Sequence, residues 1–257
     1  MTAARPADAV SALHSHARAR VGLIVPPANP AAEPEIGHLL GSVSTLHTTR
    51  FAVRHEPLRD RLASYNRDLP DKIGSFGGLP LDALVMACSG SRYLLGPQQD
   101  EESCTELSAR WGVPVATATF ATREVLRRLG KNDLVLVSPY KPWLTEQALH
   151  FWEHAGWQVR VVAVRTADGA HAPYEIGADE LVEQVEQAGL PHDAVVLCTG
   201  TGMTTLPVLP YLAADTERVV LTSNLCAAWW TLGQIGAWPD ANVPWSLARL
   251  AEQGFLP

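Results

Sequence analysis

Two short runs of the chain carry residue types suited to nucleophilic chemistry. Cys88-Ser89-Gly90-Ser91 and Cys198-Thr199-Gly200-Thr201 each follow an apolar stretch and each puts a thiol ahead of small, hydroxyl-bearing residues. Residues this small let backbone N–H groups approach an anion closely, and a helix N-terminus behind them adds positive potential. That environment is expected to lower a thiol pKa and to supply thiolate near neutral pH. A single cysteine after a strand is most simply core, because free cysteine is among the most buried residue types. Two of them, with closely similar followers, are better explained by a shared task. Cys104, on a helical stretch with Glu101, Glu102 and Glu106, and Cys226, inside an apolar helix, keep the core reading.

The elements that must position these thiols can be read from the apolar runs. Val21–Val25, Ala83–Ala87, Val113–Ala116, Leu134–Val137, Val159–Val164, Ala194–Leu197 and Val219–Thr222 are short, rich in β-branched residues and bounded by turn residues, so they read as buried strands. Helical patterns over Pro30–Leu40, Gln98–Trp111, Thr122–Leu129, Leu144–Ala155, Ala178–Ala188 and Leu225–Ile235 lie between them. This alternation predicts an α/β fold with open, mainly parallel sheets. The alternation also occurs twice with matching local sequence. Val25-Pro26 with Glu33 answers to Ser138-Pro139 with Glu146, the two cysteine runs answer to one another, and Val115–Gly130 answers to Leu221–Gly236. The chain is therefore expected to form two pseudo-symmetric α/β halves, residues 19–130 and 131–238, with the site in the cleft between them. The last helix of the second half should pack back on the first. Residues 1–18 read as a flexible tail and residues 239–257 as a C-terminal tail. In parallel sheets, ligands bind beyond the carboxyl ends of the strands, and each cysteine is expected one residue past such an end.

With these residues in place, the sequence resembles the Asp/Glu racemase superfamily, in its maleate cis-trans isomerase and arylmalonate decarboxylase branch. The likeness rests on Val21-Gly-Leu-Ile-Val-Pro-Pro-Ala-Asn29, the two cysteine runs, and Val137-Ser-Pro-Tyr140 with Pro142 and Leu144, and it spans residues 20–238. The resemblance implies a cofactor-free enzyme that forms a carbanion or enediolate beside a carboxylate. It implies that Cys88 adds as thiolate to the alkene of a small unsaturated dicarboxylate while Cys198 handles a proton. It further implies that Asn29 holds a substrate carboxylate and that Tyr140 donates to the enediolate. An enediolate needs neutral donors preorganised at two oxygens, and Ser89, Gly90, Ser91, Thr199, Gly200 and Thr117 extend the candidate set. A homo-oligomer, dimer or higher, is a further expectation from the resemblance.

The sequence departs from its relatives in instructive ways. Pro26-Pro27 and Cys198-Thr199-Gly200 replace the aspartate and histidine motifs of the amino-acid racemases, which speaks against glutamate or aspartate as substrate. The decarboxylase has glycine in place of the first cysteine, so two thiols favour isomerisation, with racemisation or arylmalonate-type decarboxylation as the alternative. A second-half isomerase asparagine has no match in Thr166–His171, leaving Arg92 or His171 as candidate carboxylate ligands. A non-catalytic dicarboxylate-binding protein is the alternative from another class.

Other signals point to the bland reading. His150-Phe-Trp-Glu153-His154 has the H-x-x-E-H form of a zinc peptidase. Its apolar stripe, however, is Leu144, Ala148, Leu149, Trp152 and Ala155, which turns the histidines to solvent, so no metal is expected. Gly200-Thr-Gly202 lacks the rest of a dinucleotide fingerprint. Trp229-Trp230 reads as core or a subunit interface. A net charge of −7 without a basic run argues against nucleic acid. No apolar run is long enough for a membrane span, and Arg5, Asp8, His14, His16, Arg18 and Arg20 interrupt the first twenty residues. With only four scattered cysteines, free thiols in a cytoplasmic setting are expected.

Overall fold

The computed structural model describes residues 18–166, 172–238, 244–252 and 254. The expected leading tail, apart from Arg18, and the candidate ligand His171 lie outside these residues. Strands β1 (Ala19–Val25), β2 (Ser44–Arg50), β3 (Ala83–Met86) and β4 (Val115–Thr117) form one parallel sheet in the order β2-β1-β3-β4. Strands β5 (Asp133–Ser138), β6 (Gln158–Ala163), β7 (Val195–Cys198) and β8 (Val219–Thr222) form a second in the order β6-β5-β7-β8. The two sheets share one topology, as the repeated sequence predicts. The central strands are covered on both faces, which is why Leu23, Ile24, Leu84, Val85, Leu136 and Leu197 read as continuous apolar runs and are fully buried.

The helices are α1 (Ala32–Leu40), α2 (Leu58–Gly74), α3 (Ser89–Tyr93), α4 (Pro97–Trp111), α5 (Ala118–Leu129), α6 (Pro142–His154), α7 (Ala178–Gln187), α8 (Leu209–Ala213), α9 (Ser223–Ile235) and α10 (Trp245–Glu252). The duplication extends to the caps. Thr117 accepts from Phe120 N–H at 3.0 Å to start α5, and Thr222 accepts from Leu225 N–H at 3.0 Å to start α9, satisfying one orphan donor in each helix. Helix α9, buried along Asn224–Leu232, packs against α5, α1 and β3, so the second half's last helix rests on the first half.

Five of the strands and helices are absent from the sequence expectation: the short helices α3 and α8, and β2, α2 and α10. Strand β2, Ser44-Thr-Leu-His-Thr-Thr-Arg50, is polar and, among the described residues, pairs only with β1, at a sheet edge where every residue after Ser44 stays at least partly exposed. Helix α2 contains Pro70, which reads as a breaker, yet Leu62, Tyr65, Leu69 and Ile73 keep helical spacing and are buried. Helix α10 lies within the stretch read as a tail, and its Leu247 and Leu250 are buried against neighbours that include α8 and α9. Among the described residues no helix is long and apolar enough to cross a membrane.

Candidate active site

The two thiols stand at strand ends, but not at equivalent ladder positions. Ile24 pairs with Met86 and Val137 with Cys198, while Val25 and Ser138 close the corresponding first strands of the two halves. Cys198 is therefore the ladder counterpart of Met86, and it is the last residue of β7 rather than one residue beyond it. Cys88 lies two residues past β3. Its N–H donates to the Met86 carbonyl at 3.1 Å, which tightens the chain, and its extended backbone (φ −151°) leads into α3. The expectation that both cysteines sit one residue past their strands is thus corrected. The motifs match, but the turn after β3 takes up two residues that β7 keeps in its ladder.

Hydrogen bonds over long sequence separations bring the two loops together. The Thr201 hydroxyl donates to the Ala87 carbonyl at 2.7 Å, directly before Cys88. The Ser89 hydroxyl donates to Ser223 Oγ at 3.2 Å, and Ser223 Oγ also accepts the Gly200 N–H at 3.2 Å. The Tyr93 hydroxyl meets Thr199 Oγ1 at 2.5 Å and accepts from Trp152 Nε1 at 3.3 Å. The residues flanking Cys88 therefore touch, directly or through Ser223, the residues that follow Cys198. These groups are buried, so each bond removes a desolvation cost that would otherwise be left open.

The remaining candidates divide into two groups. Tyr140 stands over Gly200: a Cβ at Gly200 would lie 3.0 Å from the Tyr140 hydroxyl, and the glycine's φ of +102° disfavours any side chain there. Asn29 is buried, its Oδ1 accepting from the N–H groups of Ala31 and Ala32 at the start of α1, while its amide donates to Thr201 Oγ1 at 3.0 Å. Ser91 donates to the Cys88 carbonyl at 3.2 Å. The backbone N–H groups of Ser91 and Gly90 favour the Cys88 thiolate.

The candidate Thr117, by contrast, is taken up elsewhere together with its neighbour Thr119. Both hydroxyls donate to Asp100, at 2.8 and 2.7 Å, and Asp100 also pairs with Arg92 Nε at 2.7 Å. Arg92, further held by Asn66 and Ser103, is buried behind α3 in this ion pair, so the reading of Arg92 as a carboxylate ligand is corrected.

Electrostatics also revise an expectation. Burial raises the Cys88 thiol above its ordinary value; the Ser91 hydroxyl, the N–H groups of Ser91 and Gly90 and the Arg92 charge oppose this only in part. Cys198 is pushed up to about 12, first by burial and then by the Glu35 charge. Tyr140 is held well above its usual range, mainly by burial. In this closed cleft desolvation outweighs the donors, and both cysteines rest as thiols.

Several groups at the site are missing from the sequence reading. Ser223 links the two cysteine loops, and Tyr93 joins α3 to the second half. Tyr174 covers Gly202, where a Cβ would fall 2.2 Å from its ring. Glu35 accepts bonds from second-half residues close to Cys198. Only contacts between segments more than 100 residues apart reveal Ser223, Tyr93 and Glu35, and no local pattern marks them. Cys104 and Cys226 are buried and free, in keeping with the core reading. His150 lies exposed beside Glu153 at 3.5 Å, and no trio of His, Cys, Asp or Glu side chains among the described residues is placed to hold a metal. In α6 Phe151, not Leu149, completes the buried stripe, packing edge-on to Tyr93 and Trp152.

Known proteins share this architecture. The maleate isomerase of Geobacillus stearothermophilus is 27% identical over 227 residues, covering 78% of this chain and 88% of its own length. A Cys-to-Ser variant of the Nocardia farcinica maleate cis-trans isomerase, with a covalently bound succinylcysteine intermediate, superposes with a TM-score of 0.75 at 22% identity, covering 85% of this chain and 93% of that one. Unliganded arylmalonate decarboxylase superposes with a TM-score of 0.71 at 18% identity, covering 86% and 94%. The family model described as arylmalonate decarboxylase matches residues 21–244, and with the doubled fold and the paired strand-end thiols it establishes that the chain is an enzyme of that family.

Proposed function

We propose that the protein is a cofactor-independent cis-trans isomerase of a small unsaturated dicarboxylate such as maleate. Cys88 gives its proton to solvent, its sulfur forms a bond to one alkene carbon, and the π pair moves through the other alkene carbon onto the carboxylate that carbon bears. The resulting enediolate leaves a single C–C bond free to rotate. Collapse of the enediolate re-forms the alkene, breaks the C–S bond and returns the thiolate, so no atom is gained or lost. Where the intermediate carbon is protonated instead, Cys198 supplies that proton and takes it back. Tyr140 and the N–H groups beyond Cys88 are the neutral donors for the enediolate oxygens, and Asn29 holds a carboxylate with its amide.

The observation that carries this reading is the interlocking of the two thiol loops, with Ala87 and Ser89 on either side of Cys88 bonded to Thr201 and Ser223 of the second half. Burial suits the chemistry. A thiol held up by desolvation gains nucleophilicity when it ionises, and kcat/KM is expected to rise with pH through neutrality toward the alkaline range, because Cys88 resists ionisation.

Proton NMR of maleate incubated with the enzyme tests the proposal: signal should pass to fumarate. Replacing either cysteine by alanine should lower the rate by at least about a hundredfold, and full activity in either variant would end the two-thiol account. A second reading, decarboxylation or racemisation of a 2-substituted malonate, is favoured by the family model itself. Arylmalonates, with loss of carbon dioxide or exchange of an α-hydrogen in heavy water, separate it from isomerisation.

A further inference from the structure

Glu35 lies on α1, in the first half, and its buried carboxylate has its hydrogen-bonding partners in the second. Oε1 accepts the backbone N–H groups of Thr205 at 2.5 Å and Leu206 at 2.8 Å. Oε2 accepts the Thr205 hydroxyl at 3.1 Å and Asn224 Nδ2 at 2.7 Å. Asn224 passes the constraint on, because the same Nδ2 donates to the Thr201 carbonyl at 3.1 Å, and Thr201 in turn holds Ala87 and Asn29. One carboxylate thus pins both ends of the segment that runs on from Cys198. We propose that Glu35 is a positioning residue that sets the Thr199–Leu206 loop, and with it Cys198, against the Cys88 loop.

The surroundings require an acceptor at both oxygens. A buried carboxylate is tolerated only when its lone pairs are met by donors, and four donor groups from the other half meet these. Asn224 is fully buried and its Oδ1 has no partner, so its side chain is oriented by what its Nδ2 can reach: Glu35 and the Thr201 carbonyl. A glutamine at position 35 would present an amide to that Nδ2. Asn224 would then have to turn its oxygen toward the new amide and release Thr201. The Glu35 charge also opposes ionisation of Cys198, in keeping with a thiol that serves as proton carrier. The effect on catalysis rests on the isomerase reading; the effect on the loop does not.

The test is E35Q in the full-length enzyme, with N224A as a second variant that leaves the carboxylate in place. Hydrogen exchange read by mass spectrometry should accelerate about tenfold or more in Thr199–Leu206 in E35Q, and at the Thr201 end of the loop in N224A, with residues 83–86 unchanged in both. With maleate as probe, kcat should fall about tenfold or more in E35Q while KM moves little, since the loop places the thiol rather than binds the substrate. Unchanged exchange in the loop overturns the proposal, and so does faster exchange with unaltered kcat. A wild-type enzyme inactive on maleate would defeat the isomerase reading alone, and the exchange data would still decide the role of Glu35.

Discussion

At the level of single residues, the site depends on side chains whose partners leave little freedom. Tyr140 has its hydroxyl over Gly200, where backbone conformation and the absent side chain make room for it. Y140F should lower kcat about a hundredfold with little change in KM, as expected when one donor to a developing oxyanion is lost; steady-state kinetics on maleate check this, and an unaltered kcat would remove Tyr140 from the donor set. The thiols themselves were legible in the sequence, because two Cys-hydroxyl-Gly-hydroxyl runs after apolar stretches form a local pattern. Their protonation was not. It depends on how completely the cleft closes over Cys88 and Cys198, and burial there reverses the direction that the small residues and N–H groups alone would suggest.

Among the elements, α3 begins directly after Cys88 and, at five residues, is too short to hold itself in place. It is anchored from behind by Arg92 on Asp100, with Thr117 and Thr119 completing the carboxylate and Asn66 and Ser103 completing the guanidinium. D100N should leave Arg92 buried without its counter-charge and cost about 3–5 kcal/mol of stability, since breaking one partner of a buried pair strands the other. Urea unfolding measures this, and a loss below about 1 kcal/mol would show the pair to be dispensable. Central strands and most of the longer helices are readable because their faces are uniformly apolar or evenly striped. Strand β2 and helix α2 are not, because an edge strand rich in threonine and a charged helix with an internal proline owe their form to what they pack on. The place of Thr117 after a strand suggests a substrate donor; the same place makes it a helix cap.

For the whole molecule, the duplicated sheet order was foreseeable from repeated sequence, whereas the bonds that make one site of two halves were not. Glu35 to Thr205 and Tyr93 to Thr199 join segments that no window of sequence contains together. The same burial gives the fold a pH signature. Cys104, Cys198 and Cys226, ordinarily near 9.0, and Tyr93 and Tyr174, ordinarily near 10.0, are pushed up to about 12, in every case mainly by burial. Between those values the unfolded chain binds fewer protons than the folded one, so stability falls as pH rises from the ordinary values through about 12. The urea midpoint should decline steadily above pH 9.0, and a flat midpoint up to pH 11 would contradict the degree of burial. The central claim, that Cys88 attacks the alkene with Cys198 as its partner, is met most directly by peptide-resolved mass spectrometry of a C198S variant incubated with maleate. The account predicts one added maleate unit on the peptide containing Cys88, its carbon protonated by solvent with no Cys198 thiol to take the proton back, and no such adduct when Cys88 is also replaced by alanine; no adduct on Cys88, together with wild-type conversion of maleate by C88A, would contradict it.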